Sequence, residues 1–156
     1  MKYLCDQMLG TLATWLRLIG FDTFFPNDKT SDDEILEISK KENRVLISRD
    51  KELIIRAKKR NIKNIQLETV DLDEQLEIVL KNDKIDEKKI LSRCSICNTL
   101  VKEINKVDIE DKIPEKVYLY KEKFWICPKC NKIYWKGSHY NKILKKIKDI
   151  SKDISN

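Results

Sequence analysis

Apolar positions along this chain follow an alternating rhythm of short continuous runs and helical spacings. Lys2 to Cys5 is a short run that reads as a buried strand, and Leu9, Leu12, Leu16 and Ile19 then recur at helical spacing until Gly20. Thr23 to Phe25 reads as a second strand, followed by a turn of Pro26, Asn27 and Asp28. Ser31-x-x-Glu34 is a capping box, so a helix is expected from Asp32 through Ile35, Leu36 and Ile38 to about Asn43. Val45 to Ser48 follows as a third strand, Lys51 to Arg60 as a third helix and Ile65 to Leu67 as a fourth strand. Asp71-x-x-Glu74 caps a further helix carrying Leu76, Val79 and Leu80.

Strands alternating with helices of about ten residues predict right-handed βαβ units, a parallel sheet and a small α/β sandwich. The pattern then changes. Asp83 to Arg93 is strongly charged and is expected to be helical, leading to a boundary that divides the chain into residues 1–90 and 91–156. Beyond it, Val117 to Tyr120, Phe124 to Ile126 and Ile133 to Trp135 are rich in β-formers and predict a few antiparallel strands. Ile143, Leu144, Ile147 and Ile150 return to helical spacing, so a closing helix is expected over Lys142 to Ile154.

Composition narrows the picture. At 156 residues and 41% apolar content the chain can bury a real core. No stretch approaches the roughly 18 to 20 apolar residues that span a bilayer. The start, Met-Lys-Tyr-Leu-Cys-Asp, meets an acid too early for a signal peptide, so a cytoplasmic protein without membrane contact is expected. The net charge of +6 is uneven: the first ninety or so residues nearly balance, whereas Lys116 to Lys152 is mostly basic. That asymmetry suits a polyanionic partner, or equally a lysine-rich solvated surface.

Four of the five cysteines form two pairs, Cys94-x-x-Cys97 and Cys127-x-x-Cys130. Each pair can present two thiolates from one tight turn, and two such turns complete a tetrahedral shell for structural zinc. The gap between the pairs is longer than the usual roughly 15 to 20 residues and fits an inserted hairpin. A redox role needs only one pair, and neither follows the first strand of an α/β unit. Cys5, inside the first run, reads as a buried small hydrophobe. Tyr118, Tyr120, Trp125, Tyr134 and Trp135 are interleaved with lysines, a composition that fills a small core or stacks single-stranded nucleic acid.

Asp6 follows the first strand and Asp50 the third, while Asp32 and Asp33 begin the second helix. Acids at the carboxyl ends of parallel strands point into the crevice where open α/β sheets bind ligands, and several together call for a divalent cation. Each also has a plainer reading: Asp32 and Asp33 complement a helix dipole, and Asp50 caps the helix from Lys51. A receiver-like phosphoacceptor would want paired acids after the first strand, where this chain has Asp6 and Gln7.

Five blocks then carry a resemblance: Asp6-Gln7-Met8-Leu9-Gly10-x-Leu12-Ala13-x-Trp15-Leu16-Arg17-x-x-Gly20; Asp32-x-x-Ile35-Leu36; Arg44 to Asp50; Arg93-Cys94-x-x-Cys97-Asn98; and Tyr134-Trp135-x-Gly137-Ser138-His139-Tyr140. Together they resemble the Mut-seven C-terminal ribonuclease family, PIN-like nuclease domains carrying a zinc ribbon. The resemblance implies an RNA substrate and a metal-dependent ribonuclease with Asp6, Asp32 and Asp50 holding Mg2+ or Mn2+ and Asp33 in reserve. It also implies zinc on Cys94, Cys97, Cys127 and Cys130. Asp71 fills the place of a further acid after the fourth strand, or that place is vacant. Arg17 and Arg49 flank the crevice and either receive phosphate or pair with the acids; Trp135 and His139 either touch RNA or serve the fold; Ser48 orients a ligand. The competing reading is a non-catalytic RNA-binding module that uses the ribbon and basic tail. Oligomeric state is left open.

Overall fold

A computed structural model describes residues 1–155. The first lobe runs β1 (Tyr3–Cys5), α1 (Gly10–Ile19), β2 (Thr23–Phe24), α2 (Asp32–Lys41), β3 (Val45–Ser48), α3 (Lys51–Lys59), β4 (Asn64–Gln66) and α4 (Leu72–Leu80). All pairings in its sheet are parallel, in the order β2-β1-β3-β4, with Leu4 opposite Leu46 and Phe24. This is the expected α/β architecture, with element ends moved by at most two residues.

Successive strand side chains point to opposite faces, and the core is divided accordingly. Tyr3, Cys5, Val45 and Ile47 pack with Leu12, Leu16, Leu76 and Val79 of α1 and α4. Leu4 and Leu46 pack with Ile35, Leu36, Leu53 and Ala57 of α2 and α3. Helix starts follow their caps: Ser31 Oγ accepts the Glu34 N–H at 3.2 Å and Asp71 Oδ1 accepts that of Glu74 at 3.0 Å.

The second lobe holds β5 (Lys102–Ile104), β6 (Phe124–Ile126) and β7 (Ile133–Tyr134) as an antiparallel sheet, with α5 (Glu115–Tyr120) inserted and α6 (Ser138–Ser155) closing the chain. Two expectations are corrected here. Val117 to Tyr120 is part of α5, not a strand: Pro114 opens a helix, and no neighbouring strand is placed to use the β-forming side chains. Asp83 to Arg93 forms a single 3-10 turn at Glu87–Lys89 instead of a helix. That segment lacks an apolar stripe, and it must pass beneath α1, where Leu91 donates its N–H to Leu18 O at 2.9 Å. The long gap between cysteine pairs is likewise more than a hairpin, because a 3-10 segment at Lys106–Lys112 and α5 separate β5 from β6.

α6 begins four residues earlier than expected and buries Ile143, Ile147 and Ile150 in the same cluster as α1 and α4. Lys146 pairs with Asp73 at the start of α4 and lies over the Trp15 ring at 5.2 Å. The hydrophobic cluster therefore runs without a break across the expected boundary at residue 90. No described helix is long and apolar enough to cross a membrane.

Gly20 closes α1 with φ 108, and a Cβ built there would meet Lys89 O at 2.5 Å. Both the left-handed backbone and the crossing chain demand glycine. Gly20→Ala is expected to destabilise the protein by about 1–3 kcal/mol, seen as a lower urea midpoint with an unchanged slope.

Candidate active site and metal centre

Asp6 follows β1 and is 5% exposed. Its Oδ1 accepts the Met8 N–H at 3.1 Å, and its Oδ2 takes the Ser48 hydroxyl. Ser48 Oγ in turn accepts the Asp50 N–H at 2.9 Å. A hydroxyl has one proton to give, so the N–H received from Asp50 directs the Ser48 proton to Asp6. The last residue of β3 thus ties together the two loops that leave β1 and β3.

Asp50 is exposed and caps α3, its Oδ1 accepting the N–H groups of Glu52 at 2.9 Å and Leu53 at 3.2 Å. Asp32 opens α2 with Arg56 Nη1 3.9 Å away. Burial pushes the Asp6 carboxyl above its ordinary range, and the negative charges of Asp50 and Asp32 push it further, against the hydrogen bonds from Ser48 and Met8. These three acids share one electrostatic neighbourhood at the carboxyl end of the sheet. They do not close into a tight shell: among the described residues, the four cysteines alone place three or more ligand atoms within 4.8 Å of one another. Carboxylate oxygens still fit Mg2+ or Mn2+ chemically, since Mg2+ keeps several waters and needs only one or two carboxylates.

The other expected residues are placed differently. Asp33 points along α3, paired with Arg56 and with Arg60 at 3.2 Å, so it is no reserve for the crevice. Asp71 is occupied as the α4 cap. Arg49, the residue before Asp50, has a buried Nε with no hydrogen-bond partner among the described residues. His139 is exposed at the start of α6. Trp135 packs edge-on against the buried Phe124, centroids 6.3 Å apart, with its indole Nε1 against Gly137, so its ring serves local packing.

Arg17 requires a correction. It is buried away from the acids, where Nε donates to Thr23 O at 2.9 Å and Nη1 to Ile96 O at 3.0 Å and Ser95 O at 3.3 Å. Its guanidinium holds the first cysteine turn against β2. Asn98, just after that turn, accepts the Thr23 N–H at 3.0 Å and donates to Asp22 Oδ1 at 2.8 Å. Arg44 also donates to Asp22 Oδ1 at 2.8 Å, and Arg93 donates to Asn98 O at 2.9 Å. Burial alone would raise the Asp22 carboxyl, but the bonds from Asn98 and Arg44 hold it below its usual range. Sequence reading missed this seam; the asparagine following Cys97 was its only visible trace.

The two cysteine turns are near copies. Asn98 donates to Cys94 O and Asn131 to Cys127 O, each at 2.9 Å, and both asparagines sit in the left-handed region at φ 71 and 60. Cys94 and Cys127 each donate their N–H across the turn, to Thr99 O at 2.8 Å and Lys132 O at 2.9 Å. Cys97 and Cys127 Sγ are 3.5 Å apart, close to the about 3.8 Å edge that 2.3 Å Zn–S bonds give a tetrahedron. Against the effect of burial, hydrogen bonding with Thr99 brings Cys97 down to about 6, and its bond to Cys130 holds the latter up at about 12. Such mutual opposition is what a divalent cation relieves, so the four sulfurs fit zinc. The Tyr134 hydroxyl, 3.2 Å from Cys94 Sγ, accepts the Ser95 N–H at 3.0 Å and braces the first turn.

The family model for the Mut7-C RNAse domain matches residues 1–147. The chain belongs to that family. No curated protein matches it. As a Mut7-C RNAse domain it has a ribonuclease-type function, with the zinc-competent ribbon built into the matched region.

Two outcomes follow from this geometry. Arg17→Met leaves buried carbonyls without donors, at about 1–3 kcal/mol for each group stranded. Thermal unfolding should therefore drop, while RNA cleavage per folded molecule stays near the parent; a cleavage defect in folded protein would return Arg17 to a substrate role. Because folded Asp6 keeps its proton to higher pH than the unfolded chain, stability without Mg2+ or Mn2+ falls as pH rises from the ordinary carboxylate range through the raised value. With zinc retained, Asp6→Asn should then melt above the parent at pH 7, and the difference should shrink toward pH 4 and on adding Mg2+.

Proposed function

We propose that this Mut7-C RNAse domain is a metal-dependent endoribonuclease acting on single-stranded RNA, with Asp6, Asp50 and Asp32 as the residues that hold Mg2+ or Mn2+. The carrying observation is the buried Asp6 carboxylate, held by Ser48 and Met8 yet raised by burial and by the charges of Asp50 and Asp32. A carboxylate placed this way is stabilised by a cation and destabilised without one.

When bound, the ion supplies a Lewis acid and lowers the pKa of an attacking water. The chain does the remaining work. Ser48 fixes the rotamer of Asp6 while taking the Asp50 N–H. Both capping bonds of Asp50 fall on Oδ1, leaving Oδ2 for the crevice. Arg49, next to Asp50 in the chain and with an unpartnered Nε, is the guanidinium that would meet the phosphate. Arg56 neutralises Asp33 and lies near Asp32, which limits the negative charge that RNA meets on approach.

The spread of the acids keeps one competing reading alive, a non-catalytic RNA-binding module that uses the ribbon and tail. Purified Asp6→Asn and Asp50→Asn should each lose Mg2+- or Mn2+-dependent cleavage of a labelled single-stranded RNA. The loss should exceed the roughly 10- to 100-fold that removal of an outer-shell partner costs. Variants that cut as well as the parent would refute the acid site, and binding without any metal-dependent cleavage by the parent would favour the binding module.

A further inference from the structure

A second feature of the ribbon stands apart from the acids and from the cysteines. Between β6 and the segment that crosses beneath α1 lies a cavity of about 150 Å³, lined by Ile90, Leu91, Val101, Trp125, Lys88 and Lys136 together with Ser92. Its floor is apolar: Ile90 and Leu91 are buried and Val101 is half-buried. Trp125 walls one side and is only partly covered, while Lys88 and Lys136 are exposed on the rim. Lys136 Nζ stands 5.8 Å from the Trp125 ring centroid and 5.2 Å from that of Tyr140.

The register of the small sheet explains why Trp125 and Trp135 differ. Trp125 pairs with Tyr134 and Glu103, so its ring lies on the face toward the first lobe. Phe124 and Trp135 occupy the other face, where they pack on each other. Trp125 is therefore the tryptophan of the ribbon with a face beside an open cavity. Leu91 supports this wall in a left-handed conformation at φ 62, a strained state for a branched residue that the bond to Leu18 O maintains.

We propose that this cavity receives one base of single-stranded RNA, stacked on Trp125, with its flanking phosphates on Lys136 and Lys88. The proposal rests on the reading of the chain as a protein that acts on RNA. A flat aromatic wall, an apolar floor and rim cations match the two surfaces of a nucleotide, its π-face and its phosphate. Unstacked bases are free to enter such a slot, whereas a base in a duplex is not. The hydroxyl of Ser92 adds a polar group at the base edge. In this arrangement the ribbon grips the strand while the acids act on it elsewhere.

The test uses the full chain carrying Asp6→Asn, with zinc present, and a fluorescein-labelled single-stranded RNA followed by anisotropy. Trp125→Ala should weaken binding roughly 5- to 150-fold, the range for removing a base-stacking aromatic, and Trp125→Phe should restore most of it. Lys88→Ala with Lys136→Ala should make the logarithmic salt slope shallower by about 0.7 for each phosphate that is no longer neutralised. Because Trp125→Ala could disturb the ribbon, 4-thiouridine RNA is also photocrosslinked to the parent, with Trp125 or its cavity neighbours expected as the labelled site.

Parent-like affinity of zinc-replete Trp125→Ala, or crosslinks confined to other surfaces, would overturn the proposal. Equal binding of duplex RNA through the same residues would overturn its single-strand specificity. A change in oligomeric state with unchanged RNA affinity would replace it with a protein–protein interface. Loss of binding in Trp125→Ala, in a protein that never cleaves RNA, would uphold the cavity while the nuclease reading fails.

Discussion

The guanidinium of Arg17 is the group on which the union of the two lobes depends. A buried cation is costly unless its donors are used, and here Nε and Nη1 reach one carbonyl of β2 and two of the first cysteine turn. Burial lowers the Arg17 pKa, and the surrounding thiols and Asp22 counter that effect. Those carbonyls are correctly placed only if the turn is formed, and the turn is formed only if its sulfurs converge. Asn98 and Asp22 continue the same network to the edge of the sheet. The ribbon is consequently part of the frame of the nuclease lobe, joined by a directional seam that apolar packing alone would not specify.

The two charged centres of the molecule are built on opposite plans. The sulfurs are gathered tightly, with backbone and hydroxyl groups arranged around them, as suits a closed structural shell. The oxygens are held apart, one of them buried at a cost to the fold. Each acid is nonetheless fixed by local bonds: Asp6 through Ser48, Asp50 through the start of α3, Asp32 by its place in the first turn of α2. Burial thus works against the charged form of Asp6, while local bonds fix where each acid stands.

Much of this was legible in the sequence because it is encoded locally. Caps at Ser31, Asp50 and Asp71 mark helix starts, and the cysteine spacing marks the turns. What escaped was set by tertiary context. Arg17 sits in a block that suggests a phosphate ligand, but its neighbours at Ser95 and Ile96 are distant in sequence. Val117 to Tyr120 carry strand-like side chains in a segment that has no strand to pair with. Trp125 and Trp135 look alike in the sequence, and only the register of β6 and β7 separates them. Asp32 and Asp33 are adjacent, yet α2 turns the second toward Arg56 and Arg60.

The unbroken apolar cluster has a consequence for how the protein is made. Ile143, Ile147 and Ile150 cover the outer surface of α4, completed at Leu80, and join the cluster of α1, completed at Ile19. During synthesis the nascent first lobe emerges with that surface bare and with no ribbon against β2. Until α6 has been added, that surface is exposed apolar area of the kind that makes folding intermediates prone to aggregate.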